Sequence, residues 1–222
     1  MDRLVVYTAN IGGYDQLWPM PEWDGVRAVC FTDRPQQVPG WECLPAEKPF
    51  HRAKANSLRY KCLPHKHFPD AEVTIWIDAN IGLKVHPGII AAYAVGLPGA
   101  DLAALKHPLR RCVYDEGAAV IAEQRADPDL VREQMDALRS QYYPQGFGLA
   151  ETSVVVRSDR TDEFNEAWWA DICRWLSWRD QLSFNPVCLS TDTEWRALPG
   201  RNIRDGHPWF NYRFRQGEIC AS

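Results

Sequence analysis

Asp78 closes the most β-prone apolar run in the chain, Val73-Thr74-Ile75-Trp76-Ile77. A carboxylate at the end of a buried strand is costly unless it binds something. Asn80 follows two residues later, so Asp78-Ala79-Asn80 offers a carboxylate and an amide carbonyl. Enzymes that use nucleotide-sugars place Asp-x-Asp at such a strand end, where oxygen donors hold Mn or Mg across two phosphates. Asn80 supplies one negative charge fewer than that pattern.

A second chemistry lies just upstream. His51 to Pro69 carries Arg52, Lys54, Arg59, Lys61 and Lys66 with no acid among them, on a chain of net charge −4. Such a field suits a diphosphate, whose oxygens accept charge-assisted hydrogen bonds from Arg and Lys. Arg52 and Lys54, at the expected helix start, are the candidates; Lys61 and Lys66 read as a solvated face. A third candidate is His207, set between turn formers in Asp205-Gly206-His207-Pro208-Trp209. It reads either as a third metal ligand folding back over the sheet or as a packing residue. His65-Lys66-His67 has poor spacing for a helical metal pair.

These residues need elements to position them. Leu4–Thr8 and Val26–Phe31 read as buried strands, as do Val73–Asp78, Leu102–Lys106 and Ser153–Arg157. Helical patterns lie between Phe50 and Pro64, from Pro87, over about 115–126, 128–143 and 161–176, with a short one at Ser177–Gln181. Phe164, Trp168, Ile172 and Leu176 recur every four residues and predict a core stripe. Strands alternating with helices predict one α/β domain over residues 1–222, its mostly parallel sheet covered by helices on both faces. Ligands in such sheets bind beyond the carboxyl ends of the strands, where strand order reverses. That rule selects Thr8 to Tyr14, Thr32-Asp33, Asp78 to Asn80 and His107.

Other chemistries are excluded by absent motifs. There is no G-x-G-x-x-G, no G-x-x-x-x-G-K-[ST], no H-E-x-x-H and no G-x-S-x-G, which removes the simplest dinucleotide, ATPase, protease and esterase readings. At 45% hydrophobic and 24% charged, the 222-residue chain is globular and needs no staples. The acidic balance argues against a nucleic-acid partner. No apolar segment is long enough for a membrane span. Seven cysteines, at 30, 43, 62, 112, 173, 188 and 220, form no C-x-x-C. They read as reduced thiols of a cytoplasmic protein. Ten tryptophans exceed ordinary usage, and Trp is a stacking platform for sugars and bases as well as a core residue.

Several segments together resemble a glycosyltransferase-like family first catalogued as a domain of unknown function, whose plant members include Golgi proteins linked to mucilage and turgor control. They are Val5 to Asp15, Phe31-Thr32-Asp33, Arg52-Ala53-Lys54, Trp76 to Asn80, His107-Pro108, Tyr114-Asp115-Glu116, Gly148 to Glu151 and Ser177 to Phe184. The likeness covers roughly residues 4–190, and Arg179-Asp180-Gln181-Leu182-Ser183-Phe184 is its most specific piece.

The resemblance implies a GT-A (Rossmann-like) fold, with a nucleotide-sugar half over about 1–110 and an acceptor half over about 111–222. It places Thr8, Asn10, Gly12 and Tyr14 near the nucleotide, Asp33 near the base or ribose, and Arg52 and Lys54 at the diphosphate. Asp78 and Asn80 take the Asp-x-Asp position, and Asp180 and Gln181 face sugar and acceptor. Lacking the anchor of the plant members, the chain would be a free cytosolic version.

The expected activity is transfer of a hexose from a nucleoside-diphosphate sugar to a glycan or other hydroxyl acceptor. The leaving diphosphate needs a cation or fixed basic groups, so Arg52 and Lys54 act with or without Mn or Mg at Asp78, Asn80 and His207. A carboxylate beside the anomeric carbon is also required. Asp180 is the first candidate, with a helix cap as its structural alternative, and Glu151 the second. Asp115-Glu116 reads as a helix-start pair at the rim. Two other classes stay open. One is a sugar nucleotidyltransferase, although Asn10 to Asp15 lacks the basic residue such a loop carries. The other is a non-catalytic carbohydrate- or nucleotide-binding module with Trp18, Trp23, Trp178 and Trp209 as platforms.

Overall fold

A computed structural model of the chain describes residues 3–200 and 202–214. The strands are β1 (Leu4–Asn10), β2 (Val26–Thr32), β3 (Glu42–Pro45), β4 (Val73–Ile77), β5 (Ile81–Leu83), β6 (Leu102–Lys106), β7 (Ala150–Ser158), β8 (Trp195–Ala197) and β9 (Phe210–Tyr212). The helices are α1 (Ala53–Cys62), α2 (Pro87–Ala94), α3 (Val113–Ala122), α4 (Pro128–Ser140), α5 (Asp162–Trp175) and α6 (Asp180–Ser190). Seven strands form one sheet in the order β3-β2-β1-β4-β7-β6-β8, and β5 pairs with β9 in a separate ribbon. The expected mostly parallel α/β sheet is present.

β1 runs parallel to β2 on one side and to β4 on the other. The chain winds outward through β2 and β3, then returns to β4 across β1, so strand order reverses between β1 and β4. A crevice opens at that point beyond the strands' carboxyl ends. β7 runs antiparallel to both β4 and β6, so its first residues lie where β4 and β6 finish. Its pairing with β6 jumps from Ala104↔Val155 to Leu105↔Glu151. This bulge breaks strict alternation, and Glu151, Thr152 and Ser153 all reach the same cavity.

The pleat sorts side chains onto two cores. Val5, Tyr7, Phe31 and Trp76 meet α1, α5 and α6 on one face, while Val6, Ile75, Ile77 and Val154 meet α2 on the other. Phe164, Trp168 and Ile172 are buried as their spacing predicts, each contributing about 1.5–3 kcal/mol by burial. Leu176 departs from that stripe. It ends α5 in the left-handed region at φ 54° and is exposed. The expected short helix at Ser177–Gln181 is instead α6, which begins at Asp180 and continues through Pro186. The six cysteines among the described residues are unpaired thiols; Cys220 lies outside them. No described helix is long and apolar enough to cross a membrane.

Candidate functional site

A cavity of about 970 Å³ lies at the reversal point. Its floor is a buried charge network centred on Lys61. The last turn of α1 carries this ammonium under the sheet edge, where its side chain is 4% exposed. Lys61 Nζ stands 2.5 Å from Asp180 Oδ2 and 3.7 Å from Asp78 Oδ1. Thr152 donates to the same Asp180 oxygen at 2.7 Å, and Trp76 Nε1 donates to Asp78 Oδ1 at 2.8 Å. The indoles of Trp76 and Trp168 flank the ammonium at 5.7 and 5.9 Å from their centroids.

Burial alone would raise the Asp180 carboxyl. The Lys61 and Lys54 ammoniums and the Thr152 hydroxyl overcome it and hold Asp180 well below the usual carboxylate range. Burial likewise opposes the Lys61 charge, and the Asp180 and Asp78 carboxylates more than restore it. Both partners therefore stay ionised.

The network is fixed from beneath by Arg157, which is fully buried in β7. Its Nη2 donates to the Lys61 carbonyl at 2.9 Å and its Nη1 to Tyr7 Oη at 3.0 Å; Tyr7 Oη donates to that carbonyl at 3.0 Å. The Lys61 carbonyl belongs to the last turn of α1, where no intrahelical donor remains. A guanidinium there satisfies the acceptor and complements the negative helix end.

The opposite wall is built differently. Glu151 is 6% exposed. Its Oε1 accepts from Arg204 Nη1 at 2.9 Å and Ser153 Oγ at 3.2 Å, while its Oε2 has no hydrogen-bond partner among the described residues. Burial raises the Glu151 carboxyl, with Arg204 opposing. Beside it, Glu116 of α3 is 1% exposed, with its Oε2 2.5 Å from Arg110 Nε and its Oε1 3.9 Å from Arg179 Nη2. His107 Nδ1 accepts from the Leu109 and Arg110 amides. Burial, with Arg110, Arg204 and Arg125, pulls this ring down to about 4, so it is neutral near pH 7.

Two cations remain under-used. Among the described residues Lys54 makes no hydrogen bond or ion pair, although it lines the cavity. Burial of its amine, then Arg179 and Lys61, lower it to about 7 against the pull of Asp180 and Asp78. Its surface is still open to the cavity, so water there limits that fall. Among the described residues Arg179 has only the 3.9 Å approach to Glu116, and its buried Nε lacks a partner there.

Of the residues expected at the site, Asn10, Tyr14, Lys54, Asp78, His107, Glu151, Asp180 and Gln181 line this cavity. The others do not. Thr8 is fully buried in β1. Gly12 adopts φ 83° and donates its amide to Asp33 Oδ1 at 2.9 Å, with Lys48 on the other Asp33 oxygen. That pair shapes the loop after β1. Arg52 is exposed at the cap of α1, outside the cavity wall. The helix-cap alternative for Asp180 does not hold, since Arg179 is the cap residue and the Asp180 carboxylate turns to Lys61. Trp18, Trp23, Trp178 and Trp209 are not in the wall either.

The expected metal donors do not converge. Asn80 is 3% exposed and donates its amide to the Arg213 carbonyl at 3.0 Å. His207 is 2% exposed and spends both ring nitrogens on backbone, Nδ1 on the Trp209 amide and Nε2 on the Pro199 carbonyl. Among the described residues no group of three His, Cys, Asp or Glu side chains could hold a metal. Of the three expected donors, Asp78 alone lies in the cavity wall.

Lys61, Arg157, Thr152, Glu116 and Arg179 escape the sequence expectation or reverse it. Lys61 reads as surface because its stripe is basic, yet Tyr60 and Cys62 beside it are buried. A charge between two buried neighbours near a helix end was the available signal. Arg157, at the close of the run Val154-Val155-Val156, offered a similar one.

Residues 29–197, most of the chain, match the TOD1/MUCI70 glycosyltransferase-like domain. The chain belongs to that family. Two Arabidopsis thaliana proteins are similar to this TOD1/MUCI70 chain. "Alkaline ceramidase TOD1" is 32% identical over 111 residues, 46% of this chain and 24% of the relative. "Probable hexosyltransferase MUCI70" is 26% identical over 159 residues, 66% of this chain and 27% of the relative. The chain therefore spans about a quarter of the length of these relatives. Among solved structures it is similar to the apo form of the WbbM bifunctional glycosyltransferase, at TM-score 0.46 and 13% identity, covering 83% of this chain and 36% of that one.

Proposed function

We propose that this TOD1/MUCI70 domain is a glycosyltransferase of GT-A type that moves a hexose from a nucleoside-diphosphate sugar to a hydroxyl acceptor. One observation carries the reading. At the strand-order reversal, a charged cavity presents two under-used cations, Lys54 and Arg179, beside two carboxylates that share the Lys61 ammonium. That arrangement attracts a compact polyanion. A fatty chain would find six acidic and six Lys or Arg residues in the wall, which disfavours a lipid amide as substrate.

In the reaction, the bond from the anomeric carbon to the diphosphate oxygen breaks and a bond to the acceptor oxygen forms. The diphosphate leaves carrying the electron pair, stabilised by fixed cations. The acceptor proton needs a base. Asp180 is a poor one, because Lys61 and Thr152 occupy its oxygen and hold it ionised. Glu151 has an unused Oε2 and a raised affinity for protons, so it takes the proton and passes it to solvent. Gln181, whose buried Nε2 lacks a partner in the cavity wall, is assigned to a sugar hydroxyl.

The test is a panel of UDP, GDP, CDP and dTDP hexoses, each with EDTA and with Mn. One nucleotide should stabilise the fold by about 2.7 kcal/mol at a hundred times its dissociation constant, and its sugar should be consumed with an acceptor. No response to any nucleotide, in either buffer, sinks the proposal. Hydrolysis of ceramide in that setting would put an amidase in its place.

A further inference from the structure

The place where a divalent cation would bridge Asp78 to a diphosphate is bordered by an ammonium held in position. We infer that this chain grips the diphosphate of its donor without a divalent metal. In that arrangement Lys61 offsets one of the two charges of Asp78 and Asp180, and Lys54 and Arg179 contact the phosphate oxygens. The inference rests on the nucleotide-sugar reading above and specifies how that site holds its anion.

Two carboxylates facing a cavity repel an incoming polyanion unless something cancels their charge. Lys61 cancels one of the two charges from within the fold, 2.5 Å from Asp180 and 3.7 Å from Asp78, and Lys54 and Arg179 outweigh the other. It has little freedom to leave. Tyr7 and Arg157 fix its carbonyl, and Trp76 and Trp168 flank its ammonium. A divalent ion ligated by Asp78 Oδ1 would stand within a few ångströms of that ammonium and be repelled by it. Both His207 ring nitrogens are spent on backbone, and Asn80, whose amide nitrogen is tied to the Arg213 carbonyl, lies outside the cavity wall.

The remaining cations of the wall sort by how much donor capacity they retain. Arg204, Arg110 and Arg125 hold carboxylates at 2.9, 2.5 and 2.5 Å. Lys54 holds none, and Arg179 keeps an unpartnered Nε and a single 3.9 Å approach. They come from the first turn of α1 and the cap of α6, and each lies close enough to act on the other's charge. Two donors from separate elements suit two phosphates.

The experiment measures dissociation constants of UDP, GDP, CDP and dTDP by calorimetry, in excess EDTA and in excess Mn. The expected result is binding in EDTA, changed by less than about threefold when Mn replaces EDTA. Tightening by about threefold or more, or binding seen only with Mn, overturns the inference and leaves the transferase reading standing. Failure of every nucleotide in both buffers removes the transferase reading and the inference with it. Lys54→Gln and Arg179→Gln should each weaken binding in EDTA by about tenfold, and Lys66→Gln, whose ammonium pairs with Glu166 at the surface, should not. Equal affinity in all three variants overturns the contact assignment. Lys61→Ala adds a second readout. It should lose binding in EDTA and recover part of it with Mn, because its removal frees both carboxylates for an ion. Undiminished binding by Lys61→Ala in EDTA overturns the role given to Lys61; should that variant fail to fold, the wild-type comparison alone decides.

Discussion

Two carboxylates of the cavity wall are supported in different ways. Asp180 is tied to a buried ammonium and a hydroxyl, and its charge is locked on. Glu151 leans on an arginine whose side chain is 38% exposed, and one of its oxygens is left without a partner. A carboxylate held ionised by a neighbouring cation is a weak base, whereas one whose proton affinity is raised by burial is a better one. That difference is why the proposed reaction gives the base role to the residue that the sequence ranked second.

The sharpest way to break this contrast is Glu151→Gln. Transfer should slow by about 10²–10⁴ with nucleotide affinity unchanged, as steady-state kinetics and calorimetry would report. A comparable loss of affinity would make Glu151 a binding group instead. Next comes stability. Lys61→Met leaves two carboxylates without their cation and should cost about 3–5 kcal/mol, a fall in Tm on the order of 10 °C. Arg204→Met, at a half-open pair, should cost no more than about 1 kcal/mol. Equal losses in thermal denaturation would erase the distinction between the two walls.

A smaller effect concerns pH. Lys54, lowered to about 7 and faced by Arg179, Lys61, Asp180 and Asp78, binds an anion in its protonated form. Diphosphate affinity should be full below pH 7 and fall as pH rises through it, by up to about tenfold per unit. Lys54→Gln should flatten that profile in calorimetry, and a slope that survives the substitution places the titration elsewhere. Smallest of all, Lys66→Gln removes a pair in which both side chains are about half exposed. It should move Tm by less than about 2 °C.

The sequence made the long buried strands legible, because β1, β4 and β6 are largely apolar runs and their ends locate the cavity. It did not reveal that β7 runs backwards, since a strand buried on both faces reads alike in either direction. Strands of three or four residues, such as β3, β5, β8 and β9, are too short to show a period. Pro186 hid the length of α6, because proline ordinarily interrupts a helical pattern. At the site, strand-end residues such as Asp78 and His107 were readable from topology. Lys61 was not, since its partner Asp180 is 119 positions away and only folding joins them. Asn80 and His207 misled for the same reason: their backbone partners, Arg213, Trp209 and Pro199, are set by how the chain closes on itself.

Arg157 ties the cavity floor to the innermost sheet, and that has a kinetic corollary. The amide hydrogens of Lys61 and its neighbours in α1 should exchange with deuterium only when the whole molecule opens. Those around Arg204, on a segment without strand or helix, should exchange through local excursions. One wall of the pocket thus lasts as long as the fold itself, and the other can breathe to admit and discharge what it processes.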